Sequence, residues 1–330
     1  MTNRTRVFLA VAVGVLVAGL GTGLVASYMG LQGLAIIGGN GPDELAYVPA
    51  DARLVGFADV RAVLNSELRQ KFRELHPQTS PNGEFEQRTG INFENDIDAV
   101  TVAVLGMGNQ RPLMVARGRF DEARIEGFIR ESGGSVEDYA GKRLLLVPEK
   151  EGPSPAVTFP EPGLAMFGHV DAVRAALDTK RTGNNVTGTG DIITLVRDVD
   201  NSTVWAVGRF DALASERRVP QNVLEQLPPI NLFAASGHIN GGLQATLRVE
   251  ARDDAAADDL REVVRGFIAL ARLQGGRNEQ TRALLNSVEL AGTGTSVALS
   301  VALPASALEL LTPFIPRRQA ETEPAPAPAP

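Results

Sequence analysis

The chain has 330 residues, a formal net charge of −7 and no cysteine. The acidic balance argues against nucleic acid as a partner and against electrostatic adhesion to anionic lipid. Without cysteine the protein has no disulfides, no thiolate metal sites and no cysteine nucleophile. Its stability must therefore come from the burial of apolar side chains, and the 44% hydrophobic content is enough for one large domain or two.

An uncharged, largely apolar stretch extends from Val7 to Pro42, between Arg6 and Asp43. Its first part, Val7 to Tyr28, is about 22 residues long, and a helix of that length crosses a hydrocarbon core of roughly 30 Å. Arginines precede the stretch and acidic residues follow it, which is the bias of a helix whose amino end stays in the cytoplasm. We therefore predict a single-pass anchor in a bacterial cytoplasmic (inner) membrane, with the bulk of the chain extracytoplasmic.

A cleaved secretory signal peptide is the alternative interpretation of this stretch, because Val25-Ala26-Ser27 resembles a cleavage site. The apolar cores of signal peptides are usually about 7–15 residues long, so a retained anchor is favoured.

Composition and periodicity divide the chain into seven predicted segments. They are a cytoplasmic amino terminus (1–6), the transmembrane helix (7–28), a flexible stem (29–44), a first α+β module (45–152), intervening strands, helix and glycine-rich loop (153–200), a second α+β module (201–316) and a disordered tail of proline and alanine (317–330).

Within the two modules, hydrophobic periodicity predicts the same order of elements twice. The first module reads strand 53–58, helix 60–75, strands 97–105 and 112–119, helix 121–131 and strand 142–147. The second reads strand 203–209, helices within 211–227, strands 230–238 and 243–251, helix 254–273 and strands within 287–291 and 296–303. The insertion adds strands 156–159 and 164–169 and a helix from residue 171 to about residue 179.

This β-α-β-β-α-β order is that of ferredoxin-like modules. The predicted fold class is therefore α+β: an N-terminal transmembrane helix followed by two ferredoxin-like modules, whose antiparallel sheets are covered by helices.

A four-residue joint, Gly-x-x-Asp, recurs where a predicted strand meets a predicted helix. It spans residues 56–59, 118–121, 168–171 and 208–211. The aspartate carboxylate can accept hydrogen bonds from the free amide groups of the first helical turn and complement the positive end of the helix dipole. A catalytic role for four such aspartates is the rarer alternative. We therefore predict helix N-caps at Asp59, Asp121, Asp171 and Asp211.

Two predicted helices share a five-residue pattern with an interior glycine. Residues 125–129 match residues 264–268 in character, and the glycines are Gly127 and Gly266. Glycine in a helix interior costs about 1 kcal/mol relative to alanine. Its repetition at the same place predicts an internal duplication and a close approach of each helix backbone to the sheet.

No pattern in the sequence predicts a catalytic, cofactor-binding or metal-binding site. The three histidines lack the spacing of zinc ligands. The glycine-rich loop 183–190 lacks the lysine and hydroxyl of a phosphate-binding Walker loop, so a flexible connection is favoured over a phosphate cradle. If the protein is an enzyme, its site would be drawn from scattered residues such as His169, Asp171 and His238, because both histidines lie at predicted strand ends.

Four stretches of the first module resemble a group of uncharacterised bacterial envelope proteins, a family of unknown function. They are residues 45–53 (LAYVPADAR), 60–75, 89–98 (TGINFENDID) and 116–121 (ARGRFD). The resemblance covers residues 45 to about 150. It implies one amino-terminal span and an exported α+β body, and it implies no activity and no catalytic residue.

These features favour a non-enzymatic binding or scaffolding protein of the envelope. The anchor fixes the position of the protein, the modules offer exposed faces, and the proline-rich tail can reach beyond them. An envelope hydrolase and a carrier of a lipid or another apolar ligand are the alternatives. Membrane lipid is the partner that the anchor predicts and an envelope protein is the second, whereas no cofactor and no oligomeric state follow from the sequence.

Overall fold

The computed structural model describes residues 42–67, 83–106, 111–149, 154–188, 190–214, 227–239, 241–275 and 285–304. No helix within these ranges is long and apolar enough to cross a membrane. The predicted anchor from Val7 to Tyr28 lies outside them, as do His76, stem residues 29–41 and the tail from residue 317.

The described part of the chain contains strands in both halves, with boundaries close to the predicted ones. They are β1 (Ala52–Asp59), β2 (Ile97–Leu105), β3 (Arg111–Gly118), β4 (Ser135–Tyr139), β5 (Lys142–Leu146), β6 (Pro155–Glu161), β7 (Leu164–His169), β8 (Val204–Arg209), β9 (Ile230–Ile239), β10 (Gly242–Ala251), β11 (Val288–Ala291) and β12 (Ser296–Pro304). Apart from β4, which the periodicity did not predict, the differences are the one or two residues by which strand ends ordinarily vary.

The helices of the described ranges are mostly short. A 3-10 helix (Asp43–Tyr47) comes first, followed by α1 (Val60–Leu64), α2 (Gly83–Thr89), α3 (Phe93–Asp96), α4 (Glu122–Glu131), α5 (Val170–Thr182), α6 (Asp191–Val199), α7 (Phe210–Ala214) and α8 (Asp254–Gly275). The predicted helix 60–75 is observed as far as Leu64, and its later residues lie largely outside the described ranges.

The predicted pair of ferredoxin-like modules is wrong. All twelve described strands form one sheet in the order β11-β12-β10-β9-β8-β1-β2-β3-β7-β6-β5-β4, and every neighbouring pair is antiparallel. In a split β-α-β unit the helix carries the chain over to a parallel strand. Here the connection that leaves β1 at Asp59 returns to the same end of the sheet, where Ala99 of β2 pairs with Asp59.

The two halves of the sheet meet at β1 and β8. β1, β2 and β3 are neighbours in that order, as are β8, β9 and β10. The strand order is therefore the same in both halves when it is followed outward from the antiparallel β1–β8 pair. In the second half β12 pairs directly with β10, whereas in the first half the β6–β7 hairpin lies between β3 and β5. The inserted segment thus extends the same sheet.

The centre of the sheet is buried on both faces. Almost every residue of β1 and β8 is buried, as expected for strands covered on each side. Phe57 and Trp205 pair across the β1–β8 junction, and their ring centroids lie 5.8 Å apart. The indole of Trp205 has no exposed surface.

Side chains alternate along each strand, so the sheet has two faces, and different helices cover them. Face 1 carries the side chains of Phe57 and Trp205, and it packs against the 3-10 helix, α5 and α6. Face 2 carries Leu54 and Phe233. On face 2, α8 covers β10, β11 and β12, and α4 packs against β5.

The recurring joint depends on its glycine as well as on its aspartate. At Gly118, Gly168 and Gly208 a Cβ atom would overlap the backbone of a neighbouring strand or turn. At Gly118 the obstructing atom is the carbonyl oxygen of Asp96, and at Gly168 it is that of Pro112. The neighbouring backbone therefore approaches these strand ends too closely for any other residue.

The helix glycines have the opposite environment. No atom lies within 4 Å of the Cβ that alanine would add at Gly127 in α4 or at Gly266 in α8. The predicted close approach of these helices to the sheet at their glycines is therefore wrong.

Replacing Gly118 with alanine should lower the free energy of unfolding by about 1–3 kcal/mol, because the methyl group must displace backbone. Gly127→Ala is the matched control and should raise it by about 0.5–1 kcal/mol, since the added methyl meets open space and alanine favours the helix. Urea unfolding of both variants measures the difference. Equal destabilisation by the two substitutions would contradict the opposite environments of the two glycines.

Candidate functional site

Two of the predicted N-caps have capping geometry. Asp59 precedes α1, and its carboxylate accepts a hydrogen bond from the amide of Ala62 at 3.0 Å. Asp121 precedes α4 and accepts one from the amide of Arg124 at 3.0 Å. These two aspartates therefore satisfy free amide groups at the helix starts.

The other two aspartates lie inside the helices they were predicted to cap. The cap of α5 is His169, whose Nδ1 accepts a hydrogen bond from the amide of Asp171 at 3.1 Å. Asp171 itself occupies the first turn. Asp211 lies in the first turn of α7 and forms an ion pair with Arg53 of β1. The acidic charge thus stays near the positive end of each helix, although each aspartate is the second residue of its helix and not the cap.

The alternative enzyme site is not assembled. His169 ends β7 and His238 lies on β9, and β3, β2, β1 and β8 lie between those strands. Five strand spacings correspond to roughly 24 Å. The His238 ring contacts the hydroxyl of Ser202, with Nε2 and Oγ 3.4 Å apart. In addition, no three His, Cys, Asp or Glu side chains of the described ranges are placed to hold a metal ion.

The pKa of the Asp59 carboxyl group is clearly raised. Its side chain is buried between the end of β1 and the start of α1, and burial raises its pKa from 3.8 to about 6. Hydrogen bonds from the amides of α1 oppose this rise, and nearby Asp98 adds to it. Arg61 is held by Asp98, with Nε and Oδ1 2.6 Å apart.

Asp59→Asn should remove a stability loss that develops as the pH rises. The folded carboxyl has the higher pKa, so the folded state binds more protons between about pH 4 and pH 6, and its stability falls through that window. A shift of about two pKa units corresponds to at most about 3 kcal/mol. Asparagine keeps an oxygen that can cap α1 without the charge. The variant should therefore gain stability relative to the wild type at pH 7, as measured by urea unfolding from pH 4 to pH 8.

Asp121→Asn serves as the control for that measurement, because Asp121 caps α4 with the same geometry from an exposed position. The free energies of unfolding of the Asp59→Asn variant and of the wild type could also differ by the same amount at every pH. That result would show that the pKa of Asp59 is the same in the folded and unfolded states.

A polar cluster with two buried members, Glu44 and Tyr47, lies where the described chain begins. We call residues 43–50 the leading segment. Glu44, 2% exposed, accepts a hydrogen bond from Nε of Arg117 on β3 at 2.5 Å. The hydroxyl of Tyr47 donates to Oε1 of Glu161 at 2.7 Å, and Nζ of Lys180 on α5 lies 3.2 Å from the same oxygen.

Apolar packing completes the attachment of the leading segment to face 1. Leu45, Tyr47 and Val48 are at most 3% exposed and belong to the main core. Nζ of Lys180 lies 4.7 Å from the centroid of the Tyr47 ring, within range of a cation–π contact. Asp43 and Glu44, predicted to belong to the stem, thus lie in the folded body.

The glycine-rich loop pairs with the leading segment. The amide of Val186 donates to the carbonyl of Val48 at 2.8 Å, and the amide of Ala50 donates to the carbonyl of Asn184 at 3.3 Å. Pro49 and Asn185 form an antiparallel bridge between these bonds. The predicted flexible connection is therefore bridged, at residues 184–186, to the leading segment.

Hydrogen bonding sets the protonation of the cluster. The bond from Tyr47 and the ammonium group of Lys180 hold the pKa of Glu161 below its usual value. Burial, together with the bond to Glu161, raises the pKa of Tyr47 above its usual value. Tyr47 therefore remains a neutral donor and Glu161 a charged acceptor across the physiological pH range.

A polar surface on face 1 of the second half is the other notable feature. β12 alternates strictly, with Val297, Leu299, Val301 and Leu303 on face 2 and small residues on face 1. The face 1 side chains of β10 and β12 are short or polar and none of them is buried, and Ser236 and His238 of β9 continue this surface, whereas Ala234 of β9 is buried. We call this surface the platform: Ser236, Gln244, Thr246, Ala298, Ser300 and Ala302.

Charged groups at the border of the platform form ion pairs. Nη2 of Arg248 lies 2.6 Å from Oδ2 of Asp198 on α6, and its Nε lies 3.4 Å from Oε1 of Glu250. In the middle of the platform the hydroxyls of Thr246 and Ser300 are 3.0 Å apart. The platform therefore offers hydroxyl and amide groups with little net charge, and α6 ends at its edge.

Sequence reasoning missed the cluster around the leading segment. Its pairs are separated by 73 residues for Glu44 and Arg117 and by 114 residues for Tyr47 and Glu161, so no local pattern reports them. The one local signal was the apolar run of Leu45, Tyr47 and Val48 directly after the stem, which is unusual for a solvated linker.

Comparison of the chain with protein-family models and with curated proteins gives no match. Among solved structures it is similar to crystal forms I and III of TP0453. The match to crystal form I has 11% sequence identity and a TM-score of 0.49, and it covers 82% of this chain and 98% of the TP0453 chain. Crystal form III is 11% identical, covers 83% of this chain and 99% of that chain, and has a TM-score of 0.47. A similarity at this level assigns no function.

Proposed function

We propose that this protein is a membrane-anchored, extracytoplasmic binding or scaffolding protein whose partner is another envelope protein. The observation that carries the proposal is the platform, a continuous polar sheet surface in a body that has large covered surfaces elsewhere. Its mixed charges, with a slight acidic excess, suit a protein surface better than a lipid bilayer or a nucleic acid, and the net charge of −7 agrees.

The arrangement of the histidines supports a binding role over the hydrolase alternative. His169 caps α5 and His238 lies five strands away, so the residues from which the alternative site was drawn serve separate local tasks. The small side chains of β12 leave the sheet backbone close to the surface, where a partner can pack closely.

Membrane attachment remains part of the proposal and rests on the apolar stretch from Val7 to Tyr28. Alkaline extraction of native membranes should leave the full chain with the lipid. Release of the protein by alkali, or a mature amino terminus near Met29, would contradict the anchor.

Site-specific photocrosslinking in native membranes tests the platform. A photoreactive residue at Ala302 should give one stoichiometric adduct with an envelope protein, because Ala302 is exposed on the platform. The same residue at Ala269, exposed on α8, should give none.

The matched control combines the photoreactive residue at position 302 with Ser300→Arg. The added guanidinium group lies in the middle of the platform and should block the partner. Loss of the adduct supports the proposal. Adducts of equal yield from Ala302 and Ala269, or an adduct that persists with Ser300→Arg, would overturn it.

A further inference from the structure

The leading segment occupies a mechanically critical place in the chain. It directly precedes β1, the strand that pairs with β8 and so joins the two halves of the sheet. Tension entering the body at residue 42 would reach β1 after only nine residues unless something before β1 resists it. Removal of β1 would separate the halves, because the other strand of that junction belongs to the second half.

The polar side-chain contacts of the leading segment are made with elements other than β1. Glu44 binds Arg117 of β3, and Tyr47 binds Glu161 of β6. Lys180 of α5 contacts both Tyr47 and Glu161. A pull on the segment is therefore resisted by β3, β6 and α5.

The backbone contacts add a second point of attachment. The bonds of Val48 and Ala50 to residues 184–186 are on the loop that follows α5. Side-chain and backbone contacts thus converge on α5 and its loop, which would have to move for the segment to come free. Both sides of this attachment should open together.

We propose that the leading segment is a clasp that fastens the tethered end of the chain to face 1 and keeps tension off β1. The proposal rests on the membrane anchor of the proposed function for the source of the tension. The clasp opens as a local unit, with residues 43–50 and 184–186 released together while the sheet stays folded.

Hydrogen exchange of the full chain, measured by mass spectrometry in detergent, tests the clasp without reference to the membrane. Glu161→Ala removes the acceptor shared by Tyr47 and Lys180 at the end of β6. Exchange in peptides covering residues 45–51 and 184–187 should accelerate by about tenfold, which corresponds to the loss of one charge-assisted hydrogen bond. Exchange in β1 and β8 should not change.

Glu137→Ala is the matched control, because Glu137 on β4 also holds α5, through Arg174 at 2.5 Å. It should leave exchange in residues 45–51 and 184–187 at the wild-type rate. Unchanged exchange there in Glu161→Ala, acceleration on only one side of the clasp, or equal acceleration throughout β1 and β8 would each overturn the proposal.

Force spectroscopy of the full chain, pulled from its two ends, tests the mechanical role. The force at which the β1–β8 junction breaks should fall in Glu161→Ala and stay the same in Glu137→Ala. Equal forces in wild type and Glu161→Ala would show that the segment carries no tension. Failure of the membrane anchor itself would appear in the alkaline extraction and would leave both of these measurements unaffected.

Discussion

Trp205→Ala should lower the free energy of unfolding by about 3–5 kcal/mol, one of the two largest losses we expect from a single substitution. Trp205 has no exposed surface and packs on Phe57 across the β1–β8 junction, with 5.8 Å between ring centroids. The cavity would open where the two halves of the sheet meet, and rigid strands on both sides limit its collapse. Urea unfolding followed by far-ultraviolet circular dichroism measures the loss.

Trp205→Phe separates the effect of volume from that of polarity. The indole Nε1 has no hydrogen-bond acceptor in the structure, so phenylalanine keeps an aromatic ring and removes a buried, unsatisfied donor. Its loss should be clearly smaller than that of Trp205→Ala. A phenylalanine variant as unstable as the alanine variant would mean that the indole nitrogen makes a stabilising interaction.

Arg117→Met should lower the free energy of unfolding by about 3–5 kcal/mol at neutral pH, because it leaves the carboxylate of Glu44 buried without a partner. Glu44 is 2% exposed, and its Oε1 accepts from Nε of Arg117 at 2.5 Å. The Arg117 side chain is 44% exposed, so the opposite change, Glu44→Gln, frees a guanidinium that can turn toward water. The glutamine variant should therefore lose much less stability.

The double variant Glu44→Gln with Arg117→Met completes a thermodynamic cycle for this pair. It should recover most of the loss seen in Arg117→Met alone, since no buried charge remains. Additive losses, measured by the same urea unfolding, would show that Glu44 and Arg117 stabilise the fold independently of each other.

The strands and helices were largely predictable because their causes are local. β12 alternates apolar and small residues, β1 and β8 are continuous apolar runs, and α8 has an apolar stripe. Some elements escaped prediction, α6 among them although it has an apolar stripe, and others because they lack one. The charged edge strand β4 and the four-residue α3 are examples.

The pairing of the strands was not predictable, because the same order of elements fits more than one sheet. β-α-β-β-α-β is compatible with two ferredoxin-like sheets and with one continuous antiparallel sheet. The choice depends on whether β1 lies beside β2 and β8. The β1–β8 contact joins residues about 150 positions apart, such as Phe57 and Trp205. Local patterns carry no information on it.

The candidate sites divide in the same way. The caps at Asp59 and Asp121 depend on residues three positions away, so the Gly-x-x-Asp joint reported them. The platform combines side chains of β9, β10 and β12, and the clasp combines residues 44, 47, 117, 161 and 180, so neither has a sequence signature.

The sequence alone thus determined most of the strands, the helix caps at Asp59 and Asp121, and where an apolar stretch of membrane-spanning length lies. Only the tertiary structure decided that the strands form one sheet, that Asp43 and Glu44 belong to the folded body, and that the two strand-end histidines are far apart. The physical reason is range: alternation, capping and helix periodicity act within a few residues, whereas strand order, buried ion pairs and shared surfaces depend on chain segments that meet only when the protein folds.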